Sequence, residues 1–228
     1  MKTLLIATRN AHKVGEIRAI LGESFQFLAL NDFHGTPAVM EDADTFAGNA
    51  QKKAMELARW LTAKNSQITN STSKPDFVLA DDSGLEVDAL GGKPGVHSAR
   101  FAAADSASSG NTPDADNNAK LLRLLQNVPA EKRTARFRCV IAIAPVLKGE
   151  IEASSPVCYA GEPEFPTFDG ACEGKILFAP VGQNGFGYDP LFVPNGFTQT
   201  FAELGEEEKN KLSHRAKALA KLKVFLAL

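Results

Sequence analysis

The sequence predicts an α/β protein. A mixed, twisted central sheet is flanked by helices, and two lobes stand around a cleft. Three observations lead there. Short apolar runs alternate with segments of helical period. The alternation is not strict, so the sheet is not purely parallel. There is no internal repeat and no long disordered linker, so residues 1–228 read as a single domain of two lobes.

The elements follow in order. Lys2–Ala7 is a short buried strand. Thr8–Lys13 is polar, and Val14, Ile17, Ile20 and Leu21 then recur at helical spacing, giving a strand–loop–helix unit. Phe25–Leu30 reads as a second strand. Phe46, Ala50, Ala54, Leu57 and Leu61 step by three or four and define a helix that Asp44 or Thr45 caps. Residues 62–76 are rich in Ser, Thr, Asn and Lys and read as a surface loop. Phe77–Ala80 is a strand entering the turn signature Asp81-Asp82-Ser83-Gly84, with Leu85–Leu90 as a hairpin partner. Ala102–Asp116 is a polar loop, Leu121, Leu122, Leu125 and Val128 mark a helix, and Phe137–Ile143 is a strand. Ile151–Tyr159 and Ile176–Ala179 are weaker strand candidates, and Gly182–Asp189 is a glycine-rich loop. From Ser213 onward, Ala216, Leu219, Leu222 and Leu226 share one helical face.

Composition excludes several classes. Hydrophobic residues make up 44% and charged residues 23%, which is ordinary globular usage and rules out a disordered or collagen-like chain. The formal net charge is −2, so the basic face needed for a long nucleic acid is not expected, whereas that charge does not exclude a small anion in one local pocket. The three cysteines, Cys139, Cys158 and Cys172, form an odd set without a C-x-x-C pair, which fits a reducing, cytoplasmic setting rather than a disulfide frame or thiolate zinc site. Met1–Ala7 is too short for a signal-peptide core, and no stretch approaches a membrane span. The Asn70-Ser71-Thr72 sequon is then a chance match.

Five segments carry candidate chemistry. Thr8-Arg9-Asn10-Ala11-His12-Lys13 opens a helix, where backbone N–H groups and one lysine suit phosphate oxygens, although it lacks the glycines of a Walker A loop and the spacing alone favours an ordinary capped helix start. Asp81-Asp82 places two carboxylates at a strand end, either for a cation or proton or simply as turn residues. Glu41-Asp42-Ala43-Asp44 precedes a helix, where the dipole alone explains acids, and Lys53 on that helix reads first as a solvated lysine. Gly182–Asp189 lets backbone approach a flat ligand on which Phe186 or Tyr188 stacks, unless it is a flexible hairpin loop. Ser213-His214-Arg215 puts a basic pair in the first turn of a helix, against the dipole, which points to an anionic or carbonyl-rich ligand. The four histidines have no H-x-x-x-H pair, so a His-ligated metal is not expected, and Ser83 lacks a G-x-S-x-G elbow.

Taken together, the segments Thr8-x-Asn10-x-x-Lys13, Thr45-Phe46-x-x-Asn49-Ala50-x-x-Lys53-Ala54, Ala80–Leu85, Gly95-x-x-Ser98-Ala99-Arg100, Gly185–Pro190 and Ser213-His214-Arg215 resemble, in order, the inosine/xanthosine triphosphate pyrophosphatase family. The resemblance covers nearly the whole chain. It implies hydrolysis of ITP, dITP and XTP to the monophosphate plus pyrophosphate by a cytoplasmic homodimer with Mg²⁺ as cofactor, and no nucleic-acid or membrane partner. It implies Asp82 as the residue orienting or deprotonating water, and Glu41 with Asp82 as magnesium ligands. Thr8, Arg9, Asn10, Ala11, His12, Lys13 and Lys53 would hold phosphates beside Ser83. Phe186, Gly187, Tyr188, Asp189, Lys209, His214 and Arg215 would hold the base. Three departures stand out: Gly48 replaces a usual acidic residue, the loops 62–76, 102–118 and 160–173 look longer than in compact members, and Asp42 competes with Glu41 as metal ligand. Two other expectations compete with this one, a pyrophosphatase for modified or pyrimidine nucleotides and a catalytically silent nucleotide-binding module.

Overall fold

Four consecutive buried residues after Lys2 mark Lys2–Ile6 (β1) as a strand covered on both faces. Such a strand needs neighbours on both edges and helices above and below. The computed structural model describes residues 1–63, 74–105, 110–147 and 165–227. After β1 come helix α1 (Ala11–Leu21), strand β2 (Phe25–Ala29), helix α2 (Phe46–Ala63), strand β3 (Phe77–Val87), helix α3 (Asp114–Leu124), strands β4 (Thr134–Pro145), β5 (Thr167–Ile176) and β6 (Phe192–Pro194), and helices α4 (Phe201–Leu212) and α5 (His214–Ala227). Among the described residues the strands form one six-stranded sheet in the order β2-β1-β3-β4-β5-β6. The sheet is mixed: β1 is parallel to β2 and β3, while β5 and β6 are antiparallel. The helical crossover α1 is what a parallel β1–β2 pair requires.

The chain divides into two compact units. The first comprises Met1–Asp81 and Ile141–Phe168, the second Asp82–Val140 and Asp169–Leu228. In the first unit Leu4, Leu5 and Ile6 of β1 are buried together with Ile17 and Leu21 of α1 and Leu57 and Leu61 of α2. In the second, Leu85, Leu121, Leu125, Phe137, Phe192 and Phe201 anchor the core. Phe137 lies edge-on to Phe192 at 4.8 Å and stacks on the His214 ring at 4.8 Å, so α5 is fastened to β4 by an aromatic contact. The fully buried Arg133 guanidinium donates to the carbonyls of Leu125, Ile176 and Leu177, and burial pulls its pKa down. It satisfies backbone groups at the end of α3 and of β5 that apolar surroundings would otherwise leave unpaired.

Several sequence expectations are corrected. Asp81-Asp82-Ser83-Gly84 is not a turn, and Leu85 does not begin a hairpin partner: residues 77–87 form one unbroken strand. A strand between two neighbours keeps its backbone extended, and that pairing overrides the turn preference of Asp and Gly. Asp88–Leu90 is a 3-10 turn. The polar stretch 102–116 is not loop throughout, since Ala102–Asp105 is a 3-10 turn and α3 already begins at Asp114, with acids in its first turn. That helix ends at Leu124, before Val128. From Thr167 the expected long loop 160–173 is strand β5, which stops at Ile176, so Leu177–Ala179 is not strand. β6 and α4 have no counterpart in the sequence reading. The Ile151–Tyr159 strand candidate, the Asn70 sequon and Cys158 lie outside the described residues. Cys139 and Cys172 are buried free thiols, and burial pushes Cys172 up to about 11. Among the described residues no helix is long and apolar enough to cross a membrane.

Gly170 of β5 lies against the backbone of α5. A Cβ there would sit 2.6 Å from the Ala218 nitrogen and run into the His214 carbonyl oxygen. Gly170→Ala is therefore expected to lower unfolding free energy by about 1–3 kcal/mol, measured by urea denaturation. Unchanged stability would show that α5 does not pack this closely on β5.

Candidate functional site

In the first unit the chain leaves β1 and turns into α1 through Thr8–Lys13. Thr8 Oγ1 accepts from the Asn10 N–H at 3.1 Å, and Asn10 Oδ1 accepts from the Lys13 N–H at 3.2 Å, which caps α1. Arg9 donates to Thr36 Oγ1 at 3.1 Å, and Ala11 and His12 are exposed. Lys13 reaches from the first turn of α1 to Asp81, whose side chain is 1% exposed, with Nζ 2.5 Å from Oδ1. Lys53 approaches the same residue from α2. Its Nζ donates to the Asp81 carbonyl at 2.8 Å and lies 3.0 Å from Glu41 Oε1. Two ammonium groups thus converge on one strand residue. Lys13 keeps some exposure, so its remaining N–H bonds are available to a further acceptor.

The acidic segment before α2 is held in place rather than merely decorating a helix start. Asn49, fully buried on α2, accepts from the Ala43 N–H at 2.9 Å. Thr45, not Asp44, caps the helix through the Gly48 N–H. Asp42 pairs with Lys52 at 2.6 Å, and that hydrogen bond holds its carboxyl below the usual range. Glu41 and Asp42 are therefore served by different lysines.

In the second unit β3 continues with Asp82, 5% exposed, and Ser83, whose hydroxyl accepts from the Arg215 guanidinium at 2.9 Å. Ser213 ends α4 by donating its N–H to the Lys209 carbonyl, and starts α5 by accepting from the Ala216 N–H on Oγ and the Lys217 N–H on its carbonyl. His214 and Arg215 consequently occupy the first turn of α5, and both are buried. The glycine-rich loop 182–189 is organised by Asp189. This buried carboxylate pairs with Lys209 at 2.5 Å and accepts from the Phe186 N–H at 2.9 Å. Gly185 sits at φ +79, and a Cβ there would strike the Asp189 carboxylate, so the position requires glycine twice over. Lys209 Nζ lies 4.6 Å from the centroid of Phe186, and the Arg215 guanidinium 5.9 Å from it. Tyr188 is buried, donates its hydroxyl to the Ser98 carbonyl at 2.9 Å, and has its pKa raised by burial.

Comparison with known proteins bears directly on this constellation. The profile of the Ham1 family matches residues 4–225. The chain belongs to the Ham1 family. It is 46% identical to a protein of Desulforamulus reducens named dITP/XTP pyrophosphatase, over 96% of this chain and 92% of that one. It is 47% identical to a Geobacter sulfurreducens protein of the same name, over 99% and 97%. Among solved structures, the Ham1 protein of Staphylococcus aureus superimposes with TM-score 0.75 at 32% identity, over 99% of this chain and 98% of that one. The dITP/XTP pyrophosphatase of Mycobacterium abscessus does so with TM-score 0.67 at 36% identity, over 96% and 98%.

In this Ham1 chain the structure brings Lys13 and Lys53 together in the first unit, with Glu41 beside Lys53. It brings Ser83, Phe186, Asp189, Lys209 and Arg215 together in the second. Lys53 is not a solvated lysine, because it shares the buried stripe of Phe46, Asn49 and Ala50 on α2. Tyr188 is an anchor with a buried ring, which leaves Phe186 as the stacking candidate. Asp81 and Asp82 are consecutive, buried residues of one strand, Asp81 closing the first unit and Asp82 opening the second. Sequence reasoning missed Asp81 as the partner of Lys13, and Ser98, whose hydroxyl accepts from the Leu85 N–H and donates to the Gly95 carbonyl. The G-x-x-S-A-R spacing was the available signal for Ser98.

Lys209→Met leaves the Asp189 charge buried without its cation and is expected to cost about 3–5 kcal/mol of stability. Adding Asp189→Asn to that variant should recover part of the loss in a urea-melt double-mutant cycle. Strict additivity would show that the pair is not coupled.

Proposed function

We propose that the chain hydrolyses non-standard purine nucleoside triphosphates, ITP, dITP and XTP, to the nucleoside monophosphate and pyrophosphate, clearing them from the nucleotide pool. One observation carries the reading: Lys209 and Arg215, two buried cations, converge on Phe186 beside Asp189. That is a platform for a flat ring, edged by hydrogen-bond donors. The name dITP/XTP pyrophosphatase, borne by full-length relatives at 46% and 47% identity, supports the same assignment.

The chemistry follows from the residue types. The purine lies on Phe186, with Lys209, His214, Arg215 and Asp189 at its edge and Gly187 allowing close approach. Hypoxanthine and xanthine present an oxygen acceptor at position 6, where adenine presents an amino donor. Donors at that edge leave adenine mismatched, at a cost of about 1–3 kcal/mol, or roughly tenfold to hundredfold in selection. Lys13, Lys53 and the N–H groups of the Thr8–Lys13 turn hold phosphate oxygens. Asp82 orients or deprotonates the water that attacks the α-phosphorus, and pyrophosphate leaves.

Mg²⁺ is part of this reading. Among the described residues no group of three or more His, Cys, Asp or Glu side chains gathers to hold a metal. A magnesium ion keeps several waters and takes one or two carboxylates together with substrate phosphates. Glu41 and Asp82 supply the hard oxygen donors, and Asp42 competes with Glu41, since each of these two acids is paired with a lysine, Glu41 with Lys53 and Asp42 with Lys52. When bound, the ion supplies charge neutralisation on the triphosphate. The reading extends to a single catalytic domain that uses both units, working as a cytoplasmic homodimer, and for the dimer and the compartment the family resemblance is the support.

A triphosphate panel tests the activity, with pyrophosphate and orthophosphate assayed separately. Pyrophosphate release from inosine and xanthosine triphosphates, roughly tenfold or more above ATP and GTP, is expected. Equal turnover of all four would remove the selectivity claim. Asp82→Asn is expected to abolish turnover while far-UV circular dichroism stays unchanged. A fully active variant would sink the assignment of Asp82. Chelation of divalent cations should stop the reaction and added Mg²⁺ restore it; activity that survives chelation would exclude the metal role.

A further inference from the structure

The glycine-rich loop receives support from a helix that no motif marks. Asp114 and Asn118 are one helical turn apart on α3 and therefore share a face. Asp114 Oδ2 accepts from the Gly187 N–H at 2.6 Å, and Asn118 Nδ2 donates to the Gly187 carbonyl at 3.0 Å. On the other side of Phe186, its own N–H donates to Asp189. Three backbone groups around the aromatic residue are thus pinned by side chains. Gly187 has φ +64 and open space where a Cβ would be, so this glycine is needed for its dihedral and not for room. A segment with glycines on both sides of Phe186 has little stiffness of its own. The helix supplying the grip is itself tied down: Asn117 Oδ1 accepts from the Ala102 N–H and from Thr112 Oγ1, and Leu121 is fully buried.

We infer that Asp114 and Asn118 are positioning residues that fix the Phe186 ring through both peptide groups of Gly187, and so set how tightly the purine is held. The inference rests on the functional reading above. Asp114 also lies in the first turn of α3, where any acid interacts well with the helix dipole. A dipole role would need the negative charge. The positioning role needs only an acceptor oxygen, which an asparagine keeps.

The test compares wild type with Asp114→Ala, Asp114→Asn, Asn118→Ala and the double alanine variant. Two readouts are taken: hydrogen–deuterium exchange of the segment containing Gly187, and KM and kcat for pyrophosphate release from inosine triphosphate. The alanine variants are expected to speed exchange at Gly187 and to raise KM roughly three- to tenfold each, with kcat within about twofold of wild type. Asp114→Asn should stay close to wild type in both. Unchanged exchange in the double variant overturns the grip itself. Faster exchange with unchanged KM, or a loss confined to kcat, overturns its role in holding the base. An Asp114→Asn variant as impaired as Asp114→Ala would assign Asp114 to the dipole instead. If Asn118→Ala fails to fold, the exposed Asp114 position decides alone. A wild-type chain that releases no pyrophosphate from inosine triphosphate overturns the functional reading, whereas the exchange readout judges the grip separately.

Discussion

The second unit is organised by the ion pair between Asp189 and Lys209, both buried. A carboxylate and an ammonium removed from water are costly unless each finds its full set of partners. Asp189 finds Lys209 and the Phe186 N–H; Lys209 finds Asp189 and the faces of Phe186 and Phe201. The requirement propagates outward. Gly185 must lack a side chain to let Asp189 in, and the Lys209 carbonyl receives the Ser213 N–H that closes α4. Arg215 then falls beside Ser83. An interaction of small net stabilising value serves here to specify one arrangement of loop and helices.

The first unit obeys a similar constraint with different parts. Asp81 is buried at the sheet, and its charge is matched by Lys13 from a helix start, while Lys53 takes the carbonyl of the same residue and the Glu41 carboxylate. Lysine is suited to this because one ammonium offers three rotatable donors. Phosphate oxygens arriving here would compete with acceptors already in place rather than enter an empty field of positive charge. That tempers nonspecific anion binding, in keeping with a chain whose net charge is −2.

How far the sequence spoke depended on whether the signal was periodic. β1 was legible as an unbroken apolar run, and α1, α2 and α5 because their apolar residues recur at the helical period. The Phe46, Asn49, Ala50, Lys53 stripe even marks Lys53 as inward-facing, although residue type alone argued for solvent. Asp81–Gly84 misled because turn propensity is local and sheet pairing is not: these residues continue a strand that is already paired with β1 over Phe77–Leu79, and the backbone stays extended to Val87. β6, at three residues, is too short to show a period, and α4 is broken at Gly205, where φ is +78. The partners of the glycine-rich loop, Asp114 and Asn118, lie some seventy positions away in the chain. No spacing rule connects them, whereas the neighbouring Ser98 carried a motif. Lys13 with Asp81 and Lys209 with Asp189 are long-range pairs of the same kind, and only folding discloses who meets whom.

Ser213 serves as the last residue of one helix and the cap of the next, with no linker between them. A corner without spare length cannot absorb a change in residue number. One residue added there would turn α5 by about 100° about its axis and carry His214 and Arg215 off Phe137 and Ser83. The junction therefore tolerates substitution more readily than insertion, and its length sets the rotation of everything that α5 presents.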